Sequence, residues 1–145
     1  MEIDIRETSM CFGCSQKNPI GLKLTFTMDG DVCRSTFTAG ADHQGWTGYV
    51  HGGIISSLLD EVMAQWIWLR NVPAMTAEIT VRFSAAVPIN VPLALESRRT
   101  GGKGKLFIME GTITLPDGSV PCRATAKFLK LTQNNSPDSV ELKET

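Results

Sequence analysis

The chain predicts an α+β fold in which one curved antiparallel sheet of about six strands wraps around a single long helix, and three observations predict it. Apolar residues recur at helical spacing from Ile54 to Ile67, on a face wide enough for a buried helix. Two alternating segments flank Asp29-Gly30-Asp31 before that helix. Four strand-like segments follow Pro73, joined by Pro, Gly and Asp turns. With 145 residues, 42% of them hydrophobic and 20% charged, the chain has enough material for one domain with its own core.

Residues 1–21 form an N-terminal segment built on Cys11-Phe12-Gly13-Cys14 and Asn18-Pro19-Ile20-Gly21. The other cysteines, Cys33 and Cys122, and the histidines His43 and His51 are scattered rather than paired at metal-ligand spacing, so no metal is expected. No strand pattern precedes the Cys-x-x-Cys and no helix pattern follows it, which argues against thioredoxin-like chemistry. Reduced thiols in an ordered turn are the expectation. The domain proper spans 22–131. Leu22 to Met28 alternates apolar and polar residues and pairs as a hairpin with Val32 to Phe37. A polar, glycine-containing loop, Ala39 to Tyr49, leads into the helix, which ends near Leu69 to Asn71 because Pro73 cannot continue it. Strands are expected at Thr76–Ser84, Leu93–Thr100, Lys105–Leu115 and Ser119–Leu131, forming an antiparallel meander. Residues 132–145 are polar and acidic without periodicity and read as a flexible tail.

The formal net charge of -1 gives no electrostatic case for nucleic acid or a membrane surface. No apolar run reaches the roughly 20 residues that span a bilayer, and Met1 to Arg6 lacks the apolar core of a signal peptide. A cytoplasmic location is expected.

The chemistry concentrates in Val50-His51-Gly52-Gly53 and the helix that follows. Two glycines are costly in a helix and suit a place where backbone must approach something closely. The first N–H groups of a helix have no partner within it, and the macrodipole adds partial positive charge, so Gly52 and Gly53 frame a seat for a polarised carbonyl. Asp60, beside Leu58, Leu59 and Val62, is an expensive place for a carboxylate and therefore the candidate base or nucleophile. Glu61 points about 100° further round and is expected to be solvated or paired. His51 either orients the turn or acts on the substrate. Ser56 and Ser57 are expected to bond backbone within the helix, with Ser57 also near substrate. Trp66, Trp68 and Met63 read as core or interface. At about 1.5 Å per residue, Gly52 and Asp60 lie roughly 12 Å apart along the helix, too far to act on one carbonyl from one chain. A two-fold dimer that pairs the glycine of one subunit with the aspartate of another removes that difficulty.

The sequence resembles the hotdog-fold acyl-CoA thioesterases of the PaaI-like branch over residues 11–131. The resemblance rests on Gly48-x-Val50-His51-Gly52-Gly53 followed by Leu59-Asp60. Supporting parts are Asn18-Pro19-x-Gly21-Leu22, Thr76 to Phe83 with Pro88 after it, and the glycine and basic hairpin Gly101 to Lys105. It implies hydrolysis of an acyl-CoA or acyl carrier protein thioester in a homo-oligomer, a dimer or dimer of dimers, with no cofactor beyond the CoA of the substrate. By that resemblance Asp60 activates water or attacks the carbonyl, the Gly52 N–H polarises it, His51 supports the turn or the carbonyl, and Gln44 or Gly45 lies beside it. Lys103, Lys105 and the Gly102 backbone, with Arg82, are the candidates for CoA phosphates. A non-catalytic acyl-CoA or lipid binder is the alternative, against which Asp60 argues. A hydratase on the same fold would carry a His and Asp motif that this sequence lacks.

Overall fold

A computed structural model describes residues 10–131; the expected tail at 132–145 lies outside them. One helix, α1 (Gly52–Trp68), packs on a six-stranded antiparallel sheet of β1 (Thr27–Asp29), β2 (Val32–Thr38), β3 (Ala74–Phe83), β4 (Pro92–Gly101), β5 (Leu106–Thr114) and β6 (Cys122–Lys130). This is the α+β hotdog architecture that the sequence predicts. The helix buries Ile55, Leu58, Leu59, Val62, Met63, Trp66 and Ile67. Alternating residues of the central strands meet them, Leu93 and Leu95 on β4, Phe107, Met109 and Ile113 on β5, Ala124, Ala126 and Phe128 on β6. Gly111 lets α1 approach β5: a Cβ there would stand 3.2 Å from the Met63 side chain.

Two expectations are corrected. The first strand is not Leu22 to Met28 but only Thr27–Asp29. Lys23 takes a positive φ of 54°, and the Leu22 and Leu24 N–H groups donate to Phe12 and Gly13 carbonyls at 2.7 and 2.9 Å. Leu22 and Leu24 are buried all the same, so their alternation reported burial and not pairing. Nor do the last four strands form a meander, because the sheet order is β1-β2-β4-β5-β6-β3. Only β4, β5 and β6 follow one another. β3 lies at the far edge against β6, and the chain after it crosses back under the helix entrance, where Val50 N–H donates to the Val87 carbonyl at 2.8 Å and Ile89 N–H to Gly48 at 3.0 Å.

Candidate active site

The entrance to α1 is capped by an imidazole. His51 is the N-cap, and its Nδ1 accepts the Gly53 N–H at 2.8 Å, replacing the Ser, Thr or Asp oxygen that usually does so. An acceptor at Nδ1 places the ring proton on Nε2 in the neutral imidazole. Gly53 fits because a Cβ there would press to 3.0 Å from that same Nδ1. The expected pair of free donors is thereby reduced, since the Gly53 N–H is engaged. The Gly52 N–H, first of the helix, has no acceptor among the described residues. A Cβ on Gly52 would meet only the Phe83 ring, at 3.8 Å. Around Gly52 opens a cleft of about 720 Å³ whose walls include Trp46, Tyr49, Ile55, Phe83 and Val87. Trp46 is 87% exposed and Phe83 52%.

Two turns along, Asp60 is half-buried and accepts a hydrogen bond from Thr76 Oγ1 at its Oδ1, 2.7 Å away. Its Oδ2 has no hydrogen-bond partner among the described residues. Thr76 reaches the helix because β3 carries a bulge between Thr76 and Glu78. The half-buried positions run Ala74, Thr76, then Ile79 and Val81, one residue out of step, so the strand turns Thr76 inward before the bulge and its apolar face inward after it. Thr76 was missed as a site residue. Its sequence signals are a hydroxyl at the start of a strand and its place in the Thr76–Phe83 segment of the resemblance, with nothing to mark the bulge.

Within one chain the two halves stay apart. Gly52 faces Phe83 at the end of β3, while Asp60 is bonded to Thr76 near its start. The remaining candidates divide between these halves. Arg82 is exposed beside Phe83. The turn Gly102–Lys105 belongs to the Thr76 end, for the Lys130 N–H donates to the Lys105 carbonyl at 2.8 Å and Lys130 pairs with Ala74. Lys103 and Lys105 are exposed there. Gly102 has φ of 101°, and Arg99 Nη2 donates to its carbonyl at 3.1 Å. Gln44 braces the loop: its Oε1 accepts the Gly48 N–H at 2.7 Å and its Nε2 donates to the Ala41 carbonyl at 2.9 Å, leaving one amide hydrogen. Gly45 is exposed and its N–H donates to Tyr49. Ser56 and Ser57 bond the Gly52 and Gly53 carbonyls at 3.1 and 2.9 Å, as expected. Trp66 is core, its Nε1 donating to the Asp31 carbonyl at 2.7 Å and its ring covered by Arg70.

The chain is similar to known thioesterases in sequence and in fold. Acyl-coenzyme A thioesterase THEM4 of Mus musculus is 29% identical over 98 residues, 67% of this chain and 42% of that protein, so the chain spans well under half of that relative's length. The E. coli PaaI protein of the phenylacetic acid degradation operon superposes with a TM-score of 0.71 at 17% identity, covering 77% of this chain and 81% of PaaI. The protein smu.793 of Streptococcus mutans UA159, solved with acetyl CoA bound, gives 0.69 at 15% identity, covering 74% and 88%. The thioesterase superfamily profile matches residues 47–122, which hold the His51 cap, the whole of α1, Asp60 and Thr76, more than half of the sequence. The chain belongs to the thioesterase superfamily.

Proposed function

We propose that the protein hydrolyses the thioester of an acyl-CoA, or of an acyl carrier protein, at a site shared between two copies of the chain. The observation that carries this reading is Asp60, fixed through Oδ1 by Thr76 with Oδ2 left open, on the same helix as a bare Gly52 N–H. Acting as base, Asp60 takes a proton from water while the oxygen adds to the thioester carbon; the Gly52 N–H meets the charge that develops on the carbonyl oxygen, and His51 holds the turn through its Nδ1. Collapse breaks the C–S bond, and the thiolate leaves with that proton. Acting as nucleophile, Asp60 adds to the thioester carbon and expels the thiolate as the C–S bond breaks, leaving a mixed anhydride that water opens to the free acid and the Asp60 carboxylate, with the proton released passing to the thiolate. Either way the Thr76 bond selects Oδ2 as the reacting atom.

Geometry supports the shared site. β3 is a ten-residue edge strand with one side unpaired. Pairing that edge antiparallel with the β3 of a second copy reverses the strand ends, bringing the Thr76 half of one chain to the Phe83 half of the other. Asp60, Lys103 and Lys105 of one subunit would then face Gly52, His51 and Arg82 of its partner. The basic side chains suit the phosphates of CoA. Support for CoA as carrier comes from the named activity of THEM4 and the acetyl CoA bound to smu.793. Gln44, Gly53 and Ser57 support the turn, through Gln44 Oε1 accepting the Gly48 N–H, the Gly53 N–H donating to His51 Nδ1 and Ser57 Oγ donating to the Gly53 carbonyl. Four cysteines with no disulfide between them among the described residues suit a reducing compartment, and we place the reaction in the cytoplasm, in a homodimer or a dimer of dimers.

The test is thiol release from a panel of short, long and aromatic acyl-CoAs. Turnover on at least one supports the assignment, and an acyl carrier protein substrate in parallel separates the two carriers. Tight acyl-CoA binding without thiol release from any of them would replace the enzyme with a binding module.

A further inference from the structure

We propose that Cys11, Cys14 and Glu61 form a binding site for a thiophilic divalent cation of the zinc class, with the fourth coordination position open to water. The site is separate from the thioester chemistry and does not depend on it. The loop Cys11-Phe12-Gly13-Cys14 folds over the middle of α1, so that one ligand atom from each of the three residues lies within 4.8 Å of the other two. Cys11 Sγ stands 3.8 and 4.0 Å from the two Glu61 oxygens. Tetrahedral zinc, with Zn–S near 2.3 Å and Zn–O near 2.1 Å, needs ligand atoms roughly 3.6 to 3.8 Å apart, a contraction of at most about an ångström at any pair. The loop is anchored for that purpose. Phe12 and Gly13 carbonyls accept the Leu22 and Leu24 N–H groups, and the Ser15 N–H closes a turn onto the Cys11 carbonyl at 3.1 Å.

Donor chemistry points to a soft or borderline cation. Two thiolates with a carboxylate suit zinc far better than magnesium or calcium, and a Cys-x-x-Cys supplies two ligands at the customary spacing. Glu61 is half-buried; among the described residues its hydrogen-bond partner outside the two cysteines is the neutral Gln65 Nε2, at 3.1 Å, and the neighbouring Asp60 adds negative charge. The described ion pairs involve Arg34, Arg70 and Lys127, and none reaches Glu61. Burial raises both the Glu61 carboxyl and the Cys14 thiol above their ordinary values, Gln65 offsetting part of the first and Cys11 and Glu61 adding to the second. A dication reverses that situation: the cation enters, up to three protons leave to solvent, and the net charge of the site falls to about −1. Gly13 is buried against the site, where a Cβ would lie 2.5 Å from Glu61 Cδ and displace the carboxylate. Cysteine and histidine spacing alone gives no metal site, because neither residue type supplies the third donor. The third donor is a glutamate, 50 positions away from Cys11.

Because Glu61 is the neighbour of Asp60, such a cation would tie the N-terminal loop to the helical turn that carries the reacting carboxylate. Full-length protein stripped with chelator and titrated with Co²⁺ should bind one ion per chain and show a thiolate-to-cobalt charge-transfer band with the visible intensity of a four-coordinate site. Zn²⁺ should displace it. Cys11→Ser and Cys14→Ser should each weaken Zn²⁺ at least about a hundredfold in competition with a chromophoric chelator. Gly13→Ala keeps every ligand and moves only the carboxylate, so it should weaken the ion about tenfold, with folding checked by circular dichroism. No charge-transfer band in the wild-type protein, or Zn²⁺ affinity unchanged in folded Cys14→Ser, would overturn the site.

Discussion

Asp60 is placed so that only one of its oxygens is without a hydrogen bond among the described residues. Thr76 holds Oδ1 at 2.7 Å, which orients the carboxylate as well as satisfying it. Asp60→Asn keeps the size and loses the charge, and kcat should fall at least about a hundredfold with the fold intact; near-native turnover would remove Asp60 from the mechanism. Thr76→Val keeps the shape and loses the hydrogen bond. Its kcat should fall about tenfold with little change in KM, measured on the same substrate. Of this pair only Asp60 was legible in the sequence, because a carboxylate amid Leu58, Leu59 and Val62 breaks an apolar pattern. Thr76 depends on a strand bulge and Glu61 on a loop 50 positions away, and neither leaves a mark in local spacing. The buried thiols carry a different signature. Burial pushes Cys33 and Cys122 from 9.0 up to about 11, so the folded state keeps its thiol protons where the unfolded chain gives them up. Stability therefore declines as pH rises from about 9 towards 11. Denaturant melts across that range should show a steeper loss for the wild type than for Cys33→Ala with Cys122→Ala.

At the level of elements, the His51 cap and the β4–β5 turn use glycine for opposite reasons. Gly52 needs no unusual backbone angle, and a side chain there would meet only Phe83, at ordinary contact distance. What a side chain would take is the space in front of the first N–H of α1. Gly52→Val should therefore abolish thiol release while shifting the melting temperature little; an active variant would dismiss the oxyanion seat. Gly102 is a structural case. Its φ of 101° and a Cβ position 2.1 Å from the Leu106 carbonyl oxygen leave no room for alanine. Gly102→Ala should cost about 2 kcal/mol or more, read as a melting temperature lower by several degrees. The helix was legible to within a few residues at its end, since Pro73 and the twin glycines bound it locally. Strand order was not. Whether β3 pairs with β4 or β6 is settled by the crossing segment 84–91 on the Gly48–Val50 loop, a contact between distant parts of the chain.

In the molecule as a whole, the proposed site is incomplete within one chain. Its two halves lie at opposite ends of β3, one of the two edge strands of the sheet, and the Gly52 half is ringed by the exposed rings of Trp46, Tyr49 and Phe83. On the proposed reading, a second copy related by a two-fold axis would both cover that apolar surface and supply Asp60. Gly52→Val and Asp60→Asn are each inactive on this account, for different halves of the site. After demonstrated subunit exchange, a mixed dimer of the two has one site with both groups intact and one with neither. Mixing them should restore thiol release to a fraction of sites, in proportion to the mixed dimers formed. Proven mixed dimers without recovered turnover, or a fully active monomer by light scattering under assay conditions, would contradict the shared site.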